Sequence, residues 1–149
     1  MTDQYPGDNA TAGQILDLAG AYHDAAQRLW EDGCRKHTIA RAPLHLAAIH
    51  AIELYLSALL LHKGTEAAKV RSLKHCLQDR ADQAKQAGLQ LRTNTHAHLV
   101  SMSDNREYLV VRYEPELQTV MSNITRLMAT LNEVSKKVNL QMGDSKVRL

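Results

Sequence analysis

The chain contains no phenylalanine, one tryptophan and five tyrosines, so aromatics make up only 4% of its 149 residues. Leu, Ala and Met must therefore fill the core. Aromatic and β-branched strand formers are too sparse for an extensive sheet. Proline and glycine are also scarce, at 3 and 7 residues, and together these shortages predict an all-α class. The two cysteines, Cys34 and Cys76, are isolated, with no C-x-x-C and no metal-type spacing. That usage fits a reducing cytoplasm, and whether the two form a disulfide stays open. Neither sign of charge dominates, with 18 Lys and Arg against 16 Asp and Glu. No overall field draws the chain to nucleic acid or anionic lipid, and any such binding requires a local patch. The opening "MTDQYPGDNA" lacks the basic start and apolar segment of a secretory signal.

What is present is apolar and helical in period. A length of 149 residues suits one domain that buries about two-thirds of its unfolded surface and needs no staple. Residues 1–10 read as a disordered lead-in, 11–139 as a single helical-bundle domain and 140–149 as a flexible tail. Thr11 and Gln14 match a capping box, followed by a seam of Ile15, Leu18, Tyr22, Ala25 and Leu29 and a terminating Gly33. Residues 34–41 read as a connection. Ala42-Pro43 opens a second helix that stops at Gly64. Thr65 caps a third, with a break near Ser72 and an end at Gly88. A fourth runs from a cap at Thr93 to Thr95 as far as about Ser103. Pro115 bars "RYE" from ordinary helix continuation. The last helix spans about Pro115 to Val138, with Leu117, Val120, Ile124, Leu127, Leu131, Val134 and Val138 alternating at spacings of 3 and 4. Short links between such helices predict an antiparallel four- to five-helix bundle. Its first and last helices either pack side by side or pair with a second subunit.

The most apolar stretch, "HAIELYLSALLLHKG", carries His50, Glu53 and Ser57 at spacings of 3 and 4, on one narrow stripe of a helix otherwise covered by leucines. A carboxylate at the centre of a membrane span costs roughly 2.5–3.5 kcal/mol even on lenient scales. The segment therefore reads as the central helix of a bundle rather than a span. A buried Glu53 needs a basic partner on another helix. His75, in "LKHCL", is a structural residue first and, with His50 and Glu53, a polar cluster second.

"LHLAAIHAIELYLSALLLHKG", then "SLKHCLQDRADQAKQAGL", then "RYEP" resembles the HEPN domains, helical bundles of prokaryotic toxin–antitoxin, defence and nucleotidyltransferase-associated proteins. The likeness spans Ala42 to Pro115. It departs from the family at Cys76, where an acidic residue is usual. The resemblance implies an up-and-down bundle, a homodimer, a possible nucleotidyltransferase partner, and nucleotide or RNA as ligand. Many HEPN proteins act as metal-independent ribonucleases through an Arg, four to six residues and a His, with a Tyr two past the His. The His exchanges protons with the 2′-hydroxyl or leaving oxygen, and the Arg stabilises the phosphorane. In "NREYLVVRY" Arg106 and Tyr113 fit this pattern, but Val111 stands where the His belongs, so the implied catalytic site is incomplete. A second pair, Arg92 and His98 in "RTNTHAH", meets the bare spacing. His96 and His98 have no third metal ligand indicated.

Two functions follow. One is a noncatalytic interaction module binding a protein partner, a nucleotide or RNA, with Arg106, Arg112 and Tyr113 as a small basic and aromatic patch. The other is a ribonuclease using Arg92 and His98 or a site around Arg106. No P-loop, dinucleotide fingerprint, nucleophile elbow or zinc site is present, and no cofactor, metal or membrane is expected.

Overall fold

The computed structural model describes residues 5–33, 38–116 and 121–147, and among them the chain is a bundle of seven α-helices without strands. The elements are α1 (Ala12–Glu31), α2 (Thr38–His62), α3 (Ala67–Ser72), α4 (Leu77–Gln86), α5 (Thr93–Asp104), α6 (Glu107–Tyr113) and α7 (Ile124–Val147). The all-α class expected from composition is the class observed.

Helix α2 is the axis of the fold, packing against α1, α3, α4, α6 and α7. By length and composition alone it is apolar enough to cross a membrane, yet 67% of its apolar window is buried inside the bundle. Leu44, Ile52, Leu56, Leu59 and Leu60 are closed off from solvent. Tyr22 meets His50, while Ile15, earlier in α1, shares a cavity wall with Leu54 and Leu61, later in α2, so α1 runs antiparallel to α2. His45 pairs with Ser122 and Tyr55 with Ser135, which sets α7 parallel to α2. His98 pairs with Thr130 and Thr95 with Glu133, so α5 runs antiparallel to α7.

The capping box at the start of α1 forms, with Thr11 Oγ1 accepting from Gln14 N and Gln14 Oε1 from Thr11 N. The buried face of α1 is rotated from the expected seam. Ala19 and Ala26 are fully buried, while Leu18, Tyr22 and Ala25 face outward. Small residues at the two buried positions suit a close approach of α1 to α2, on which it packs. In α7, by contrast, Ile124, Leu127, Leu131, Val134 and Val138 are all buried. Leu117 and Val120 lie outside the described residues. Because α2 separates much of α1 from α7, the two seams do not form one shared interface. A His23–Asn132 hydrogen bond of 2.9 Å still links the two helices.

Several boundaries differ from the sequence expectation. Helix α2 begins at Thr38 rather than Ala42, taking in part of the expected connection and leaving Pro43 inside it. Proline there forfeits one backbone bond near the helix start, a loss offset by the burial of Leu44 and His45. The break expected near Ser72 is present at Leu73–Cys76, where Lys74 holds φ of 51°, but the N-cap of α3 is Glu66 rather than Thr65. Helix α6 is additional and stops before Pro115. Helix α7 begins at Ile124, not Pro115, since Pro115 and Glu116 form a turn and Asn123 Oδ1 accepts from Thr125 N and Arg126 N. It also continues past Asn139, with Met142 buried and Gln141 Nε2 donating to Gly88 O. Residues 5–10 lie against α3, where Asp8 pairs with Arg71 and the Tyr5 ring sits 4.3 Å from the Arg71 guanidinium carbon. Gly64 (φ 99°) and Gly88 (φ 109°) end their helices as expected, with Thr65 N and Leu89 N donating back to Leu60 O and Ala84 O.

Candidate functional site

Two polar assemblies lie inside the bundle. The first gathers around Glu53, whose side chain is only 12% exposed. The turn between α3 and α4 brings His75 to it, with Nδ1 3.2 Å from Glu53 Oε2. Helix α4 brings Arg80, whose Nη2 lies 3.8 Å from Glu53 Oε1. Cys76 is the N-cap of α4, its Sγ accepting from Asp79 N. An N-cap favours the short oxygen acceptors Ser, Thr, Asp and Asn, and a weaker thiol acceptor stands here.

Arg80 is 4% exposed. Its Nε donates to Ser57 Oγ at 2.9 Å and its Nη2 to Val70 O at 3.4 Å, whereas Nη1 is buried without a partner. Burial pulls its pKa down and the Glu53 carboxylate pulls it back up. Tyr108 on α6 packs a tilted ring on His75, centroids 5.0 Å apart. His50, edge-on to Tyr22, has its pKa lowered by burial, against the opposing field of Glu53, with Arg112, His75 and Arg80 adding to the depression. Thus His50, Glu53 and His75 form one cluster, joined electrostatically by Arg112. A cavity of about 410 Å³ opens on it, lined by Glu53, Ser57, His75 and Arg80, by Arg71 and Lys74, and by residues 5–8.

The second assembly centres on Ser122, just before α7. Ser122 Oγ lies 2.7 Å from both Glu107 carboxyl oxygens and 2.7 Å from His98 Nε2. His98 Nδ1 lies 2.7 Å from Thr130 Oγ1, and His45 Nε2 reaches Ser122 O at 3.1 Å. Burial, aided by Arg126 and His45, lowers the His98 pKa to about 4, so the ring is neutral near pH 7. One assignment satisfies every group: Thr130 donates to Nδ1, Nε2–H donates to Ser122, and Ser122 donates to Glu107. The serine proton then points at the carboxylate and the histidine has no lone pair free for it, which is the reverse of an activated nucleophile. Burial raises the Glu107 pKa, and the Ser122 contacts partly counter this.

Of the four residues on which a ribonuclease reading leans, Arg92 and Tyr113 line different cavities. Arg92, its side chain 83% exposed, lines a groove of about 650 Å³ between α5 and α7 with Arg126, Lys136 and Lys137. His98 points into the Ser122 network. Arg106 is exposed, with φ of 51° at the α5–α6 turn. Tyr113, 76% exposed, lines another cavity with Ile39 and Pro115. Arg112 acts on His50 at the cluster, while the Tyr113 cavity includes neither Arg106 nor Arg112. His96 turns to Asp82, 3.0 Å away, rather than toward His98. Among the described residues no group of three His, Cys, Asp or Glu is placed to hold a metal ion.

Sequence reasoning missed Arg80, Glu107 and Ser122. Arg80 had a signal: it shares the face of Leu77, Ala81 and Ala84, and an arginine on an apolar stripe has to be paired inside. Glu107 and Ser122 had none, being joined only by the fold. Comparison of the chain with protein-family models, with curated proteins and with solved structures finds no match.

Proposed function

We propose that this chain is a noncatalytic, HEPN-like helical interaction module, a cytoplasmic homodimer that binds a nucleotide, an RNA or a partner protein such as a nucleotidyltransferase. The observation that carries the reading is that Arg92 and Tyr113 line different cavities while His98 is engaged by Ser122 and Thr130. Supporting it, Val111, at the position where the family pattern has its histidine, is buried and cannot carry a proton. A neutral His98 already committed to Ser122 and Thr130 is a poor general acid. The toxin–antitoxin or defence setting rests on the resemblance alone.

For the dimer, the α7 seam is occupied by the chain's own core, so the second copy needs another face. The outward Leu18 and Tyr22 of α1 offer one. Light scattering at high micromolar concentration is expected to give twice the monomer mass, reduced to one in Leu18→Glu; a strict wild-type monomer removes the dimer. Incubation with structured RNA is expected to leave it intact. Cleavage abolished by His98→Ala replaces this reading with the ribonuclease one.

A further inference from the structure

We propose that the cavity beneath residues 5–8 binds a phosphomonoester, with the phosphate on Arg80, Arg71 and Lys74 and the organic part against Leu54, Leu61 and Val70. This names the ligand class for the binding-module reading and rests on it.

Three observations meet at this cavity. First, Arg80 lines it and is 4% exposed, yet Nη1 is without a partner. A buried guanidinium normally has its donors satisfied, and Arg80 in the cavity wall retains one N–H without an acceptor. Glu53 does not supply it, standing 3.8 Å from Nη2. Second, the charges are unequal. Arg71, Lys74 and Arg80 face only Glu53 and Asp8 across the cavity, and Lys74 makes no ion pair among the described residues. With Asp8 withdrawn, three positive charges oppose one carboxylate, an excess of two that matches a phosphomonoester dianion. A singly charged carboxylate ligand leaves half of it uncompensated. Third, Ile15, Leu54, Leu61, Ala67 and Val70 give the lining an apolar part beside Ser57 and His75, and about 410 Å³ accommodates an aromatic or sugar-sized body beside the phosphate.

Asp8 is the competitor already in place. Its carboxylate sits on Arg71 while Tyr5 covers the same guanidinium. Both members of the ion pair are more than a third exposed, at 41% and 37%. Such pairs hold weakly, so a doubly charged oxyanion is able to displace Asp8 and lift residues 5–8 from the cavity mouth.

Isothermal titration of the full chain with phenyl phosphate, inorganic phosphate and acetate tests the site. Saturable binding is expected for phenyl phosphate, weaker binding for inorganic phosphate and none for acetate. Lys74→Ala should weaken phenyl phosphate by roughly fivefold or more, and Asp8→Asn should tighten it by roughly threefold to fivefold as the competing ion pair is lost. Arg80→Gln should abolish it; because that change also affects the core, the two surface variants decide the matter. No saturable binding of phenyl phosphate, or an affinity unchanged by both Lys74→Ala and Asp8→Asn, overturns the site. Release of phenol during the titration overturns the noncatalytic reading instead, and leaves the site standing.

Discussion

At the scale of single residues, the buried histidines beside Ser122 tie stability to pH. His45 is 5% exposed and its pKa is lowered to about 4, by burial first, with the Ser122 carbonyl opposing and Arg41 assisting. Unfolding releases it to the ordinary value of 6.5, so the unfolded chain binds more protons between those limits. Stability is therefore full above pH 6.5 and falls as pH drops toward 4. For His45 alone the loss between pH 8 and pH 5 comes to about 2 kcal/mol. His98 adds to it in the same window, while the raised Glu107 pKa acts with opposite sign, its contribution weakening as pH rises. Urea midpoints are expected to be lower at pH 5 than at pH 8, and His45→Gln should flatten the difference. Glu53 carries a separate expectation. Glu53→Gln leaves the Arg80 charge buried with no counter-ion and should cost about 3 kcal/mol in urea unfolding.

At the scale of elements, local signals fixed helix existence and distant contacts fixed several ends. Helix α5 shows this at its start. Its N-cap, Arg92, makes no side-chain cap; the cap expected at Thr93 to Thr95 lies inside the helix, and Thr95 donates elsewhere. Glu133 of α7 instead accepts from Arg92 N at 2.8 Å and from Thr95 Oγ1 at 2.6 Å, and Lys137 lies 3.0 Å from the same carboxylate. Burial favours the neutral acid, but these bonds outweigh it and hold the Glu133 pKa below its usual value. Glu133→Ala is expected to cost about 1–2 kcal/mol, the scale of a lost cap, with faster amide exchange confined to residues 92–96. Removing residues 140–149 exposes the surface that Met142 covers and frees Gly88 O. A fall of about 1–2 kcal/mol in unfolding free energy is expected from the lost apolar burial alone.

At the scale of the whole molecule, α2 touches nearly every other element, so no group of helices has a core that excludes it. Unfolding should be one cooperative transition, with Trp30 fluorescence and helical circular dichroism coinciding. Leu59→Ala, at a fully buried position on α2, should shift both together by about 3 kcal/mol. Two transitions, or a shift in one signal only, count against a single core. The sequence bore on this scale through the leucine-rich segment from Leu44 to Leu61, whose apolar residues cover most of the helix surface. A helix apolar on nearly every side requires neighbours on nearly every side.

The sequence by itself determined the class, most of the helices and the stripe of His50, Glu53 and Ser57, because periodicity, caps and terminal glycines act over a few residues and are written locally. Only the tertiary structure decided which face of α1 turns inward, burying Ala19 and Ala26 rather than Leu18 and Tyr22. The same holds for the carboxylate that caps α5. It also decided that Arg92 and His98, near in sequence, diverge, while Glu53 and Arg80, 27 positions apart by their numbers, converge on a cavity. Such convergence depends on packing between helices remote in the chain, where desolvation rather than spacing selects each charge's partner.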